Sequence, residues 1–259
     1  MPELVEVELS RRLAERLCTR TVASVDALDP HASAHLPDEL AAALIGATFT
    51  APRRRGKLLL LDTDRTTLGM HFGMTGRLVI DGDPALDRLL YASATFEPRW
   101  IRFALSLRDG GRVELHDPRR LARLFIDPDE AALGPDATSL TLDELRTVLR
   151  GRTRGIALKA RLLDQSRLAG VGNLIADEVL WRAALSPERP AASLDDEELR
   201  RLHRQVKSTT TMLLRRGGSH TGDLMAARAP GGRCPKDGQP LARSTVGGRT
   251  TYWCPAHQN

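Results

Sequence analysis

The stretch "DQSRLAGVGNLIADEVLWRA" (Asp164–Ala183) decides how the second half of this chain folds. Ala169-Gly170-Val171-Gly172-Asn173 interrupts two helical patterns with glycines that allow close backbone approach. The helix that follows from Asn173 opens with N–H groups that have no intrahelical acceptor, an arrangement suited to phosphate. Basic residues Lys159, Arg161 and Arg167 stand close by in sequence and point the turn toward a polyanion.

The surrounding text is helical. Thr141 followed by Glu144 is a capping box at the start of "TLDELRTVLR", and Ser193 with Asp196 predicts the start of a long helix that stops at Gly217-Gly218. Upstream, from residue 19 to about Phe125, short runs such as "RRRGKLLLL" and "RFALSLRDGGRVELHD" read as strands separated by turns. Asp38 to Leu44 adds a short helix. The chain opens with "MPELVEVELS", where Pro2 suits a first helical turn and Glu3 and Glu6 lie near one another at the positive end of the dipole. Val5, Leu9, Leu13 and Leu17 predict one apolar stripe on that helix.

At the other end, Cys234-x2-Asp237 and Cys254-x2-His257 are separated by sixteen residues that read as a β-hairpin. Two ligand pairs with x2 spacing suit a tetrahedral structural zinc, although Asp and His are less typical partners than cysteine. "TVGGRTTYW" sets Arg249 beside a tight glycine turn.

Composition bounds these readings. The 259 residues carry 38 Lys+Arg against 33 Asp+Glu, a net +5, and the arginines cluster in "APRRRGK", "HDPRRLAR", "LRGRTRGIALKAR" and "LLRRGG", as expected of a surface that meets phosphates. Three cysteines argue against a secreted disulfide scaffold, and no apolar run could span a membrane. The expectation is a soluble cytoplasmic protein, nucleoid-associated in a bacterium. The layout is α+β: an N-terminal β-sandwich with a leading helix (1–127), a helical domain (138–218) and a terminal hairpin module (230–259).

Together these pieces resemble the formamidopyrimidine-DNA glycosylase and endonuclease VIII family of repair enzymes, over nearly the whole chain and in order. "MPELVEVE" is similar to that family's amino terminus, "RRRGKLLLL" to its catalytic-lysine strand and "LGMHFGMTGRL" to its glycine-methionine loop. "HDPRRLARL" is similar to its lesion-void loop, Asp164–Ala183 to its helix–two-turn–helix, and the tail to its zinc finger. The resemblance implies a DNA cleft between the two domains and a bifunctional glycosylase and AP lyase that acts on damaged DNA as a monomer, with structural zinc and no organic cofactor. It implies that Met1 is removed and that Pro2 attacks the sugar, with Glu3 as acid/base, Glu6 orienting the amino terminus and Lys57 on the phosphate by the lesion. Met74, Arg119 and Leu121 match residues that fill the space left by the flipped base. His71, Asn173 and Arg249 match phosphate-contacting positions, and Lys159, from the basic residues beside the turn, is expected to bind DNA with them.

Two departures stand out. Val5 replaces the family's usual proline. The segment Gly217–Cys234 is short where enzymes specialised for 8-oxoguanine carry a longer loop, which turns the expected lesion toward formamidopyrimidines, oxidised pyrimidines, abasic sites or bulkier adducts. The rival expectation from another class is a DNA-binding protein that kept the fold and lost the chemistry.

Overall fold

The computed structural model describes residues 2–33, 37–86, 95–150 and 155–259. Met1 and the arginines at 152 and 154 of the third basic cluster lie outside them. The chain divides into two compact units, Met1–Glu130 and Ala131–Asn259.

The first unit begins with α1 (Leu4–Ala14), extended by a 3₁₀ turn, Glu15–Leu17. Strand β1 (Val22–Leu28) and helix α2 (Pro37–Leu44) follow. β2 (Phe49–Arg55), β3 (Leu58–Thr63) and β4 (Thr67–His71) form a meander. β5 (Arg77–Ile80), β6 (Asp83–Pro84), β7 (Ile101–Leu107), β8 (Arg112–His116) and β9 (Arg123–Ile126) complete the unit. The strands make two antiparallel sheets, ordered β1-β7-β8-β5-β6 and β2-β3-β4-β9. One core joins them: Leu59, Leu61, Leu68 and Met70 from one sheet, and Leu78, Phe103, Leu105 and Leu115 from the other. Leu58 and Leu60, on the opposite face of β3, are buried as well. A strand covered on both faces explains why "LLLL" is continuous rather than alternating.

Helix α1 departs from the predicted stripe. Leu9 and Leu13 are only half-buried, while Val7, Ala14 and Leu17 enter the core and Ser10 is buried beside them. Val5 is buried because the whole first turn, Leu4 to Val7, is enclosed. The core row therefore runs through small residues between the leucines.

The second unit holds α3 (Leu142–Leu149), α4 (Leu158–Leu163), α5 (Asn173–Ala183), α6 (Asp196–Arg216) and the hairpin β10 (Ala242–Val246) and β11 (Arg249–Trp253). The Thr141–Glu144 box caps α3 through Glu144 N–H to Thr141 Oγ1 at 3.2 Å and Thr141 N–H to Glu144 Oε2 at 2.7 Å. At α6 the cap is Asp195 rather than Ser193. Glu198 N–H donates to Asp195 Oδ1 at 2.8 Å, Asp195 N–H donates to Glu198 Oε2 at 3.0 Å, and the Ser193 hydroxyl donates instead to Pro190 O. The carboxylate wins because its negative charge also meets the helix dipole. Gly217 (φ +84°) ends α6 in the left-handed conformation that suits glycine.

Candidate active site and nucleic-acid interface

In the first unit Pro2 is buried and Glu3 is the N-cap of α1. Glu3 N–H donates to Glu6 Oε2 at 2.8 Å. Glu3 and Glu6 are 1% and 2% exposed, so two acidic side chains sit enclosed at the N-terminal end of a helix, each bonded to the other's backbone. Helix α1 packs across β2 and β3, and the turn joining those strands carries Lys57, which is 9% exposed. Gly56 makes that turn with φ +58°.

Register places Leu58 opposite His71 and His71 opposite Arg123. Lys57, His71 and Arg123 thus share one end of the four-stranded sheet. Burial, and then the nearby Lys57 and Arg123 charges, hold the His71 imidazole below its ordinary pKa. His71 Nδ1 accepts from Gly73 N–H at 3.2 Å, which leaves Nε2–H as the outward donor of a neutral ring. Unfolded His71 binds protons more readily than folded His71. Its contribution to stability is therefore complete above the ordinary imidazole value of about 6.5 and is lost as pH falls through the lower folded value. Denaturant unfolding between about pH 5 and 8 is expected to show this loss, and His71→Gln is expected to flatten that limb of the profile.

Two loops carry the candidate inserting residues. In the β4–β5 loop Met74 is half-buried; in the β8–β9 loop Arg119 is exposed and Leu121 is 40% exposed, an apolar side chain presented to solvent. Gly73 (φ +58°) permits their packing, since a Cβ there would lie 2.4 Å from Leu121 O. Asp117, fully buried, ties the loops together. It accepts from the Thr75 hydroxyl, from Arg119 N–H at 3.1 Å, Leu121 N–H at 2.6 Å and Ala122 N–H at 2.7 Å. Arg120, at φ +56°, is fixed by paired 2.8 Å bonds to Asp29, and that guanidinium holds the Asp29 carboxyl down at about 2.

In the second unit Gln165 organises the turn between α4 and α5. Its Nε2 donates to Leu163 O at 2.8 Å and Val171 O at 2.9 Å, and its Oε1 accepts from Gly170 N–H at 3.0 Å. Gly172 is the N-cap and brings no side-chain oxygen to the helix start. Asn173 Nδ2 donates to Thr250 O at 3.1 Å, while its buried Oδ1 has no hydrogen-bond partner. The hairpin tip rests on α4, where a Cβ on Gly247 would lie 3.1 Å from Ala160 Cα. Gly247 and Gly248, both at positive φ, make the two-residue turn, and Arg249 beside it is exposed.

Lys159 requires a correction. It is 0% exposed, with Nζ 2.6 Å from Asp177 Oδ1 and 2.7 Å from Thr251 Oγ1. Arg228 Nη2 reaches the other Asp177 oxygen at 2.6 Å. Lys159 braces the hairpin against the helices and presents no charge to a phosphate. Arg161 is also buried, whereas Arg167 is exposed.

The segment after α6 is pinned down. Asp223 and Leu224 N–H donate to Glu178 at 3.0 and 2.9 Å, and Leu224 is fully buried. Gly222 sits so close that a Cβ would lie 2.6 Å from Glu178 Oε2.

Cys234, Asp237, Cys254 and His257 converge, with ligand atoms all within 4.8 Å of one another. Cys234 Sγ lies 3.6 Å from His257 Nδ1 and Cys254 Sγ lies 3.2 Å from Asp237 Oδ2. Zinc bonds of about 2.0–2.3 Å at tetrahedral angles put such ligands roughly 3.3–3.6 Å apart, so the donor set fits a structural metal site. His257 Nε2 lies 3.3 Å from Trp181 O, and Trp181 Nε1–H donates to Cys234 Sγ at 3.3 Å. The first contact leaves Nδ1 facing the other ligand atoms, where it would be available to a metal, and the second orients the Cys234 sulfur.

Residues 1–124 match the family model of the formamidopyrimidine-DNA glycosylase N-terminal domain, and residues 132–224 match that of the formamidopyrimidine-DNA glycosylase H2TH domain. The chain is 32% identical to a formamidopyrimidine-DNA glycosylase of Chloroflexus aurantiacus, covering 100% of this chain and 98% of the relative. It is 35% identical to one of Geotalea uraniireducens, covering 98% of each. Among solved structures it is similar to Lactococcus lactis Fpg in complex with DNA containing an abasic site, at a TM-score of 0.83 and 25% identity over 100% of both chains.

Proposed function

The chain belongs to the formamidopyrimidine-DNA glycosylase family and is a base-excision repair DNA glycosylase with AP lyase activity; from that premise we propose how its own residues carry the reaction. The observation that carries the reading is the enclosed start of α1, where Glu6 holds the backbone of Glu3 directly behind Pro2.

Once Met1 is removed, Pro2 is a secondary amine with a reference pKa of about 7.7–8.0, so a useful fraction is neutral near pH 7. Its nitrogen attacks C1′ of the damaged nucleotide as the glycosidic bond breaks, and the base leaves with its electron pair and takes a proton from water. Glu3 accepts the proton that the Pro2 nitrogen sheds and passes it to the ring oxygen as the sugar opens, which leaves an iminium linking Pro2 to C1′. The iminium withdraws electrons, a base removes the C2′ proton, and the C3′–O bond breaks with the phosphate as leaving group. A second elimination expels the 5′ phosphate, and water releases the enzyme. Lys57 and the neutral His71 Nε2–H bind the phosphates flanking the lesion, beside Arg123. Met74, Arg119 and Leu121 fill the vacated space, Leu121 as an apolar wedge. Asn173, at the N-terminal start of α5, and Arg249 bind the backbone phosphates from the second unit.

The pinned segment 217–234 favours ring-opened formamidopyrimidines, oxidised pyrimidines and abasic sites over 8-oxoguanine, because it is bonded to Glu178 rather than free to cover a flipped base. The protein works as a monomer in the cytoplasm, on nucleoid DNA. Borohydride reduction on an abasic duplex tests the chemistry: a covalent protein–DNA complex is expected, whereas a silent binder gives none. A panel of defined-lesion duplexes tests the preference, and fastest excision of 8-oxoguanine overturns it.

We propose zinc as the metal, held by Cys234, Asp237, Cys254 and His257. Its role is structural: it cross-links the two ends of the hairpin module. Elemental analysis is expected to find about one zinc per chain, and chelation to lower the melting temperature. A metal-free, fully folded protein overturns the assignment.

A further inference from the structure

Helix α6 carries a cationic stripe that none of these roles uses. Arg200, Arg204, Lys207, Ser208, Thr211 and Arg215 recur at three- and four-residue intervals, which brings them to one side of the helix over about 22 Å. All six are exposed. The opposite side, with Leu199, Leu202, Val206, Thr209 and Leu213, is buried, and α6 packs on α5 and α3.

The charges on this stripe are unlike most others in the molecule. Arg20, Arg53, Arg112, Arg120, Arg189 and Arg228 each hold a carboxylate within 3.1 Å. Among the described residues, no carboxylate pairs with the side chains of Arg200, Arg204, Lys207 or Arg215. The acids Asp196 and Glu197 stand at the helix's N-terminal end, four and three residues before Arg200. Like charges three and four residues apart oppose helix formation. Arg215 is compensated by the negative end of the dipole, but Arg200, Arg204 and Lys207 lie in the first two-thirds of the helix and are not. Arg204, Lys207 and Arg215, with Ser208 and Thr211, line a shallow groove of ≈ 840 Å³.

We propose that this stripe is a second, sequence-independent binding surface for the phosphate backbone of duplex DNA, separate from the α4–α5 turn and the hairpin tip. The stripe has the reach of about three successive phosphates, at roughly 7 Å each along a strand. Its neutral members are hydroxyls, which donate within the helix to Gln205 Oε1 and Lys207 O and turn to phosphate oxygens when DNA is present. It offers no exposed apolar anchor, whereas protein interfaces draw their binding energy from buried aromatic and aliphatic anchors. Backbone phosphates therefore fit it better than an acidic protein. A second site lets the enzyme hold one duplex while engaging another, a route for passing between DNA segments while searching for lesions.

The inference rests on the DNA-repair reading, so its test keeps the two apart. In the variant Arg204→Gln, Lys207→Gln, Arg215→Gln, a good helix former replaces each charge on a solvent face, and the melting temperature is expected to stay level or rise. Binding to undamaged duplex is measured between about 50 and 200 mM salt, where the slope of log K against log[salt] is expected to shrink by about 0.9 per lost phosphate contact. Dissociation of wild-type protein from labelled duplex should accelerate with competitor duplex, and the variant should lose that dependence. Covalent trapping on abasic DNA, with enzyme in excess, should be the same for both. Arg204→Lys with Arg215→Lys should keep the wild-type slope. Unchanged slope and unchanged competitor dependence in the Gln variant overturn the proposal. So does stripe-dependent capture of poly-glutamate without any change in DNA binding, which would assign the surface to an acidic protein. Failure of wild-type protein to trap abasic DNA would instead strike the glycosylase reading and leave the salt slopes to speak for the stripe.

Discussion

Protein that retains Met1 is expected to form no borohydride-trapped complex with abasic DNA and to excise damaged bases at least about 10³-fold more slowly, the scale of losing a covalent nucleophile. The reason is bond order. With Met1 in place the Pro2 nitrogen is an amide whose electron pair is delocalised into a carbonyl, so it neither attacks C1′ nor carries an iminium. Affinity for a duplex holding a stable abasic analogue should change less than about threefold, about 0.7 kcal/mol, since the phosphate contacts are untouched. Pro2→Gly, with Met1 removed, separates two parts of the role. A primary amine still condenses with the aldehyde of an existing abasic site, so partial trapping survives. Its imine is neutral until protonated, whereas the proline iminium is a permanent cation, so base excision and elimination should both slow. Undiminished trapping by Met1-retaining protein would remove Pro2 from the mechanism.

The second large effect belongs to Asp177. Its two oxygens meet Lys159 and Arg228, and the three side chains are 0%, 0% and 6% exposed. Asp177→Ala removes the carboxylate that two buried cations share, which is expected to cost about 3–5 kcal/mol of stability. The same change frees the strand that Lys159 ties through Thr251 and the segment that Arg228 ties from outside. Calorimetry on zinc-loaded protein should show the loss in the transition of the second unit. Lys159→Met is the informative partner: it replaces a buried cation with an apolar chain of similar length and leaves Asp177 still paired to Arg228. It should leave the salt slope of DNA binding unchanged. A slope smaller by about 0.9 would return Lys159 to the phosphate contacts.

These residues mark where the sequence was readable. The strand pattern, the turn at Gly170 to Asn173, the Thr141–Glu144 box and the two x2 ligand pairs depend on neighbours a few positions away, and local spacing carries that information. Lys159 does not. Its place was drawn from the basic residues beside it, while its partner hydroxyl on Thr251 lies 92 positions along the chain. Asp117 is hidden in the sequence for a similar reason: its donors come from its own loop and from Thr75, 42 positions upstream. Gln165 had a nearer signal, an amide just ahead of a glycine turn, but nothing in its type distinguishes a clamp from a surface residue. At α6 Ser193 and Asp195 each stand three residues ahead of an acid. Both capping patterns were present, and Asp195 with Glu198 is the one whose side chains bond each other's backbones. The stripe on α1 failed because enclosure, rather than residue size, decided which side faces the core.

The bonds from Asp117 also bear on timing. Because its carboxylate binds Thr75 on one loop and three backbone N–H groups on the other, and because Gly73 lies against Leu121, the segments bearing Met74, Arg119 and Leu121 are assembled when the chain folds. Their loss of conformational freedom belongs to folding and is not charged again at each encounter with DNA. On the proposed role of these residues, a wedge assembled beforehand would enter the duplex as one body, and the number of sites sampled per second would depend on how readily a base pair opens rather than on how long two loops take to find each other.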